Sequence, residues 1–89
     1  MLTYEDCIGV SGLTAEEVEA IAEHEHLPAM VALEYGRYIM EGPDGQKVLQ
    51  RIILDDIDAA RERGDTVHAA CLKLILRDFC RRCEAQQAA

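Results

Sequence analysis

The sequence predicts an all-α fold, a small antiparallel bundle of four main helices preceded by a short N-terminal helix. Apolar residues recur at helical spacing, capping residues punctuate the chain, and no segment alternates like a strand. The main helices are predicted at about residues 15–26, 28–40, 44–63 and 66–83. Because their connections are short, neighbouring helices should pack antiparallel in a single domain spanning residues 1–89.

Capping residues place the first helices. Thr3 starts the short helix, predicted over residues 3–8. Thr14 with Glu17 three positions later forms a capping box, in which each side chain bonds the other residue's backbone N–H. Pro28 disfavours helical angles at Leu27 and suits the first turn of a new helix. The second main helix should therefore begin at residue 28.

Turn residues place the last two helices. Residues 41–45, Glu-Gly-Pro-Asp-Gly, predict the turn before the third main helix. Gly64 then supplies a C-cap, and Asp65 the N-cap of the last helix. Residues 84–89 are expected to fray, as chain termini commonly do.

Three of the main helices place a polar residue in their apolar stripe. The stripes are Val18, Ile21, Ala22 and Glu25; Leu49, Ile52, Ile53, Asp56 and Ala60; and His68, Leu72, Ile75, Leu76, Phe79 and Cys83. Glu25, Asp56 and His68 are thus predicted to face the core. Acids and histidines are rarely buried without partners, so these side chains should satisfy one another, bind a metal or line a pocket.

A metal-binding bundle is the function that this pattern favours. Glu23 and His26 have the Glu-x-x-His spacing and so resemble the ligand motif of ferritin-like di-iron proteins, of which a dimer would supply two copies by symmetry. With Glu25, Asp56 and His68 they form a carboxylate–imidazole set suited to Fe, Mn or Zn. No catalytic residue and no cofactor-binding motif is predicted.

The alternative is an interaction protein, a homodimer or adaptor, whose buried polar residues are structural. Asp56 and His68 would then bond each other or the hydroxyls of Tyr35 and Tyr38. Helix 28–40 is apolar on more than one side, which is typical of a central helix or one shared with another chain. Its candidate interface residues are Met30, Leu33 and Met40.

The four cysteines leave two interpretations open. Cys80 and Cys83 form a CxxC and are candidate redox thiols, whose pKa neighbouring arginines could lower. However, this CxxC lies late in its helix, whereas redox pairs usually sit at a helix N-terminus, so structural thiols are favoured. Cys7 and Cys71 have apolar neighbours and are predicted to be small core residues.

Charge is distributed unevenly. The chain has 17 acidic and 9 basic residues, a net charge of −8, and Arg37 is the sole Lys or Arg before residue 46. Such a chain repels nucleic acid but suits a cation or a basic protein partner. No apolar run approaches the roughly 18 residues of a membrane span. The N-terminus lacks the layout of a signal peptide, so a cytoplasmic location is expected.

Overall fold

A computed structural model describes the backbone of residues 3–88 and the side chains of all of these except residues 10, 87 and 88. It contains five helices, α1 (Tyr4–Ser11), α2 (Ala15–Glu25), α3 (Ala29–Glu41), α4 (Gly45–Glu62) and α5 (Thr66–Ala88). The part of the chain that it describes has no strand. The predicted all-α fold is confirmed.

The predicted starts of the helices agree with the structure more closely than their predicted ends do. Both threonines, Thr3 and Thr14, form complete capping boxes. By contrast, α1 continues past residue 8 until Gly12, whose φ of 81° ends it in the left-handed region. The last helix, α5, continues beyond the predicted end at residue 83 because residues 84–88 include no glycine or proline. Fraying of residues 84–89 stays a prediction.

The helix α4 lies at the centre of the packing, in contact with α2, α3 and α5. Its predicted stripe is buried throughout, including Asp56, which is 4% exposed. On α2 the buried face is rotated from the predicted one. Glu17 is fully buried, whereas Glu25 is only half-buried. The carboxylate that α2 places in the core is therefore Glu17, and the prediction for Glu25 is corrected.

The molecule is flat, with principal extents of 39 × 34 × 19 Å. Since a helix with its side chains is about 10 Å across, the shortest dimension corresponds to two layers of helices. In two layers every helix keeps a solvent face, and α3 is not enclosed as a central helix would be. Its outer side exposes four large apolar residues: Met30, Val31, Tyr35 and Tyr38.

Gly45 permits the close contact between the start of α4 and the end of α3. A Cβ atom at this position would overlap the carbonyl oxygen of Ile39 and lie 2.8 Å from the Cα of Met40. Both neighbours are backbone atoms, which cannot move aside as a flexible side chain can. Position 45 in the α3–α4 turn therefore accommodates glycine without a clash, and no residue that has a Cβ atom.

We expect Gly45→Ala to lower the free energy of unfolding by about 1–3 kcal/mol, because the added methyl group overpacks this contact. Urea denaturation measures the change. Gly9→Ala in α1 is the control, since nothing lies within 4 Å of its added Cβ. It should stabilise the protein by about 0.5–1 kcal/mol. If Gly45→Ala were as stable as the wild type, the close contact would not exist.

Candidate functional site

Histidine–carboxylate contacts join α2 to α4 and α5. On α5, the Nε2 atom of His68 lies 2.9 Å and 3.1 Å from the two carboxylate oxygens of Glu23 on α2. The guanidinium of Arg63 approaches the same carboxylate at 3.9 Å. More than a third of the His68 side chain and of the Glu23 side chain remains exposed. This contact therefore lies at the protein surface, within reach of a ligand.

A second histidine, His24, links α2 to α4. Its Nδ1 lies 3.0 Å from Oε1 of Glu25, and its Nε2 lies 3.2 Å from Oδ2 of Asp55. Asp55 is also paired with Arg51, at 3.1 Å. Desolvation lowers the pKa of His24, but the hydrogen bonds to Asp55 and Glu25 outweigh it and raise the pKa above its usual value. These hydrogen bonds therefore favour the protonated ring more than water does.

Between the two histidine contacts lies Asp56, which has little access to water. Its Oδ2 is buried and has no hydrogen-bond partner among the described residues. Burial raises the pKa of Asp56 to about 7, the charge of Glu23 adds to this, and His24 and His68 oppose it. Asp56 therefore changes its protonation close to neutral pH. Its expected hydrogen bond to His68 is absent, because His68 faces Glu23 instead.

The prediction of a metal site is wrong. Within residues 3–88 there is no group of three or more His, Cys, Asp or Glu side chains placed to hold an ion. The physical reason is the early end of α2: His26 is the exposed C-cap, with φ of 55°, so it lies outside the helix that the Glu-x-x-His motif requires. Glu23, Glu25 and His68 contact partners in separate pairs rather than converging with Asp56 on one point.

An open groove runs between α2 and α5 beside the Glu23–His68 contact. It consists of two adjoining depressions of about 190 Å³ each, which share Glu16 and Ile75. The lining residues are Thr14, Glu16, Glu19, Ala20, Glu23, His68, Leu72, Leu74, Ile75 and Asp78. None of these described residues is Lys or Arg. We call this feature the acidic groove.

The acidic groove has two chemically different walls. Glu16, Glu19 and Glu23 are spaced three and four residues apart, so they lie along one face of α2. The wall from α5 is mainly apolar, with Leu74 57% exposed and Ile75 half-buried. The spacing of the three glutamates is visible in the sequence. That an apolar strip of α5 lies opposite them is not, and sequence reasoning missed the groove.

A partly buried ion pair between Glu17 and Arg82 lies at one end of the acidic groove, next to the lining residues Thr14 and Asp78. Glu17 Oε1 accepts a hydrogen bond from the Thr14 backbone N–H at 3.0 Å, and its Oε2 pairs with the Arg82 guanidinium. Arg82 also bonds Asp78 at 3.2 Å and donates to the Gly12 carbonyl oxygen at 3.4 Å. The sequence predicts Glu17 as a capping residue and does not reveal that α5 supplies a cation to it.

The cysteines of the CxxC are partly or fully buried. Cys80 is half-buried and Cys83 is 6% exposed. Desolvation raises the pKa of Cys83 and outweighs the opposite effect of Arg82, contrary to the expected lowering by nearby arginines. A redox role stays a prediction, one that this raised pKa does not favour. Cys71 is exposed, so its assignment to the core is corrected, whereas Cys7 is half-buried and packs against the core.

The three candidate interface residues of α3 differ in position. Leu33 is 1% exposed and belongs to the core, Met40 is half-buried, and Met30 is 47% exposed. A surface on α3 would therefore include Met30 and its exposed neighbours but not Leu33.

Comparisons of the chain with protein-family models, with curated proteins and with solved structures found no match. Among the described helices, none combines the length and the apolar character needed to cross a membrane.

We expect Arg82→Met to lower the free energy of unfolding by about 2 kcal/mol, because it leaves the Glu17 carboxylate buried without its cation. The loss of stability should be smaller than for a fully buried ion pair, since Arg82 is 35% exposed. Arg81→Met is the matched control: Arg81 is 68% exposed and meets Asp78 only at 3.9 Å. Urea denaturation of both variants measures the difference, and equal stabilities would show that the buried pair is not stabilising.

We expect the protein to lose stability as the pH rises from about 4 to about 7, because folding raises the pKa of Asp56 and so favours its protonated form. Folding also raises the pKa of His24, so loss of its proton lowers the stability further at slightly higher pH. Asp56→Asn should remove most of this dependence. Near pH 8 it should be more stable than the wild type by up to about 4 kcal/mol, at about 1.4 kcal/mol per pKa unit.

Thermal unfolding of the wild type and of Asp56→Asn between about pH 5 and pH 8 tests this linkage. Asp58→Asn is the control, since Asp58 is exposed on the same helix. It should follow the wild-type pH profile. If wild type and Asp56→Asn lost stability in parallel, Asp56 would not be the titrating group.

Proposed function

We propose that this chain binds a basic amphipathic segment of another protein in the acidic groove between α2 and α5. The observation that carries the proposal is the combination of an apolar strip on α5 with a row of three glutamates on α2, and no Lys or Arg among the described lining residues. A segment with apolar side chains on one side and Lys or Arg along its edge would match both walls.

The charge of the groove is available to such a ligand. Glu16 and Glu19 have no ion pair with any described residue, whereas Glu23 is paired with His68 and Asp78 with Arg82. Each new pair between a partner's cation and an exposed glutamate is worth about 0–1 kcal/mol. Because these contributions are small, the glutamates would set the orientation and specificity of the ligand more than its affinity.

Burial of apolar surface would supply most of the affinity. Leu74 is 57% exposed and lies at the edge of the depression that also contains Ile75. Grooves of this kind bind amphipathic helices through apolar side chains spaced three or four residues apart. The two adjoining depressions can each receive one such side chain, since they follow one another along α5 and share Ile75.

The experiment measures binding of a fluorescent synthetic helix of leucine and lysine by anisotropy. The same peptide with glutamate in place of lysine is the ligand control. We expect the lysine peptide to bind the intact chain, and its affinity to fall as salt is added, because exposed charge pairs are screened. The glutamate peptide should not bind.

Matched variants separate the groove from general attraction to an acidic protein. Glu16→Gln with Glu19→Gln should weaken binding about fivefold, corresponding to about 1 kcal/mol from two exposed pairs. Glu34→Gln with Glu41→Gln removes the same charge from α3, which does not line the groove, and should change the affinity little.

The apolar wall is tested by Leu74→Ser, with Val67→Ser as its control on the same helix. Val67 is 75% exposed and does not line the groove. Leu74→Ser should weaken binding and Val67→Ser should not. Equal effects of the groove and control variants would overturn the proposal, as would failure of the lysine peptide to bind.

A further inference from the structure

Among the described residues that line the acidic groove, His68 is the one whose side chain can become a cation. It shares the depression nearer the start of α5 with three carboxylates, those of Glu16, Glu19 and Glu23. Histidine is the side chain whose charge ordinarily changes between about pH 5 and pH 8. A proton on His68 therefore reduces the charge that these side chains present to a ligand from three negative charges to two.

The contact between His68 and Glu23 keeps its geometry when the ring changes its charge. The Nε2 atom of His68 lies 2.9 Å and 3.1 Å from the two carboxylate oxygens of Glu23. Because an ionised carboxylate has no hydrogen to donate, Nε2 carries the hydrogen in the charged ring and in the neutral ring alike. The second proton therefore leaves from Nδ1, and the hydrogen bond to Glu23 persists. Only the charge beside Glu23 changes.

The other charged groups around His68 come from α4 and from the turn before α5. Arg63 lies 3.9 Å from the Glu23 carboxylate, too far for a hydrogen bond, and arginine stays charged at every pH considered. Asp65 accepts a hydrogen bond from the backbone N–H of His68 rather than from its ring. Asp56 is buried nearby, and burial raises its pKa to about 7, so its ionisation has to be separated from that of the ring.

We propose that His68 makes binding in the acidic groove depend on pH. Its protonated ring neutralises the charge of Glu23, and its neutral ring leaves that charge to a cation of the bound segment. This inference rests on the proposed function of the groove, and it adds Glu23 to Glu16 and Glu19 as a contact at higher pH. Because coupling between two binding events is reciprocal, the bound segment weakens the hold of His68 on its proton, and binding releases a proton.

The fluorescent lysine–leucine helix tests this dependence by anisotropy between about pH 5.5 and pH 8, a range in which its lysines stay charged. We expect the affinity to rise about threefold to fivefold from the low to the high pH, the equivalent of one exposed charge pair. The same titrations in Asp56→Asn exclude the ionisation of Asp56 as the cause. The rise should persist in that variant.

Two substitutions at His68 fix the charge of this position in opposite ways. In His68→Gln the amide can still donate a hydrogen bond to Glu23 but is never charged, so the high-pH affinity should hold throughout the range. In His68→Lys the permanent cation should hold the affinity at its low-pH value. His26→Gln is the matched control, since His26 is the exposed C-cap of α2, does not line the groove and should leave the pH profile unchanged.

Isothermal titration calorimetry in buffers of different ionisation enthalpy measures the released proton, and circular dichroism confirms that each variant is folded at each pH. Proton release by the wild type that is absent in His68→Gln would support the inference. An affinity that is independent of pH, or a pH dependence that His68→Gln retains in the Asp56→Asn background, would refute it and leave the proposed function standing. A peptide that binds at no pH would refute both.

Discussion

The ion pair between Glu17 and Arg82 is the polar constraint that joins α5 to α2 and satisfies the one fully buried carboxylate of α2. A fully buried carboxylate is unfavourable unless cations and hydrogen-bond donors surround it. Here the donors come from two distant parts of the chain, the Thr14 backbone at the start of α2 and the Arg82 guanidinium late in α5. The Arg82 guanidinium lies 5.9 Å from the ring centre of Phe79, a core residue, so the pair is continuous with the hydrophobic core. This link fixes the distance between α2 and α5 at one end of the acidic groove.

At the other end of the same helix pair, polar contacts replace apolar packing. Glu23 meets His68, His24 meets Asp55, and Asp56 is buried between them with an unpaired oxygen. The arrangement links α2 to both C-terminal helices, and burial raises the pKa of the enclosed Asp56 to about 7. Protonation of Asp56 therefore changes the stability of the protein near neutral pH. The coupling of pH to stability follows from Asp56, whose ionised form is poorly solvated.

The flat, two-layer shape explains why so small a chain leaves large apolar side chains exposed on more than one helix. In two layers each helix has a face that no other helix covers, so apolar residues of α3 and α5 stay exposed. On the α2–α5 side the neighbouring charges are acidic, which suits a basic segment. On the α3–α4 side acids and bases are interspersed around Val48.

The sequence by itself determined the helices, because their signals are local. Each signal depends on residues within a few positions of one another. The signals are the capping boxes at Thr3 and Thr14, the Gly-Pro turn at residues 42–43 and the apolar stripe of α4.

The tertiary structure alone decided which carboxylate is buried and which partner each histidine contacts. Glu17 rather than Glu25 enters the core, and His68 contacts Glu23 rather than Asp56. Rotation of α2 by a fraction of a turn exchanges these outcomes, and periodicity fixes a helical face less precisely than that. Pro28 predicts the end of α2 near His26, but the left-handed angles of His26 itself, which place this residue outside the helix, are not marked by the sequence pattern.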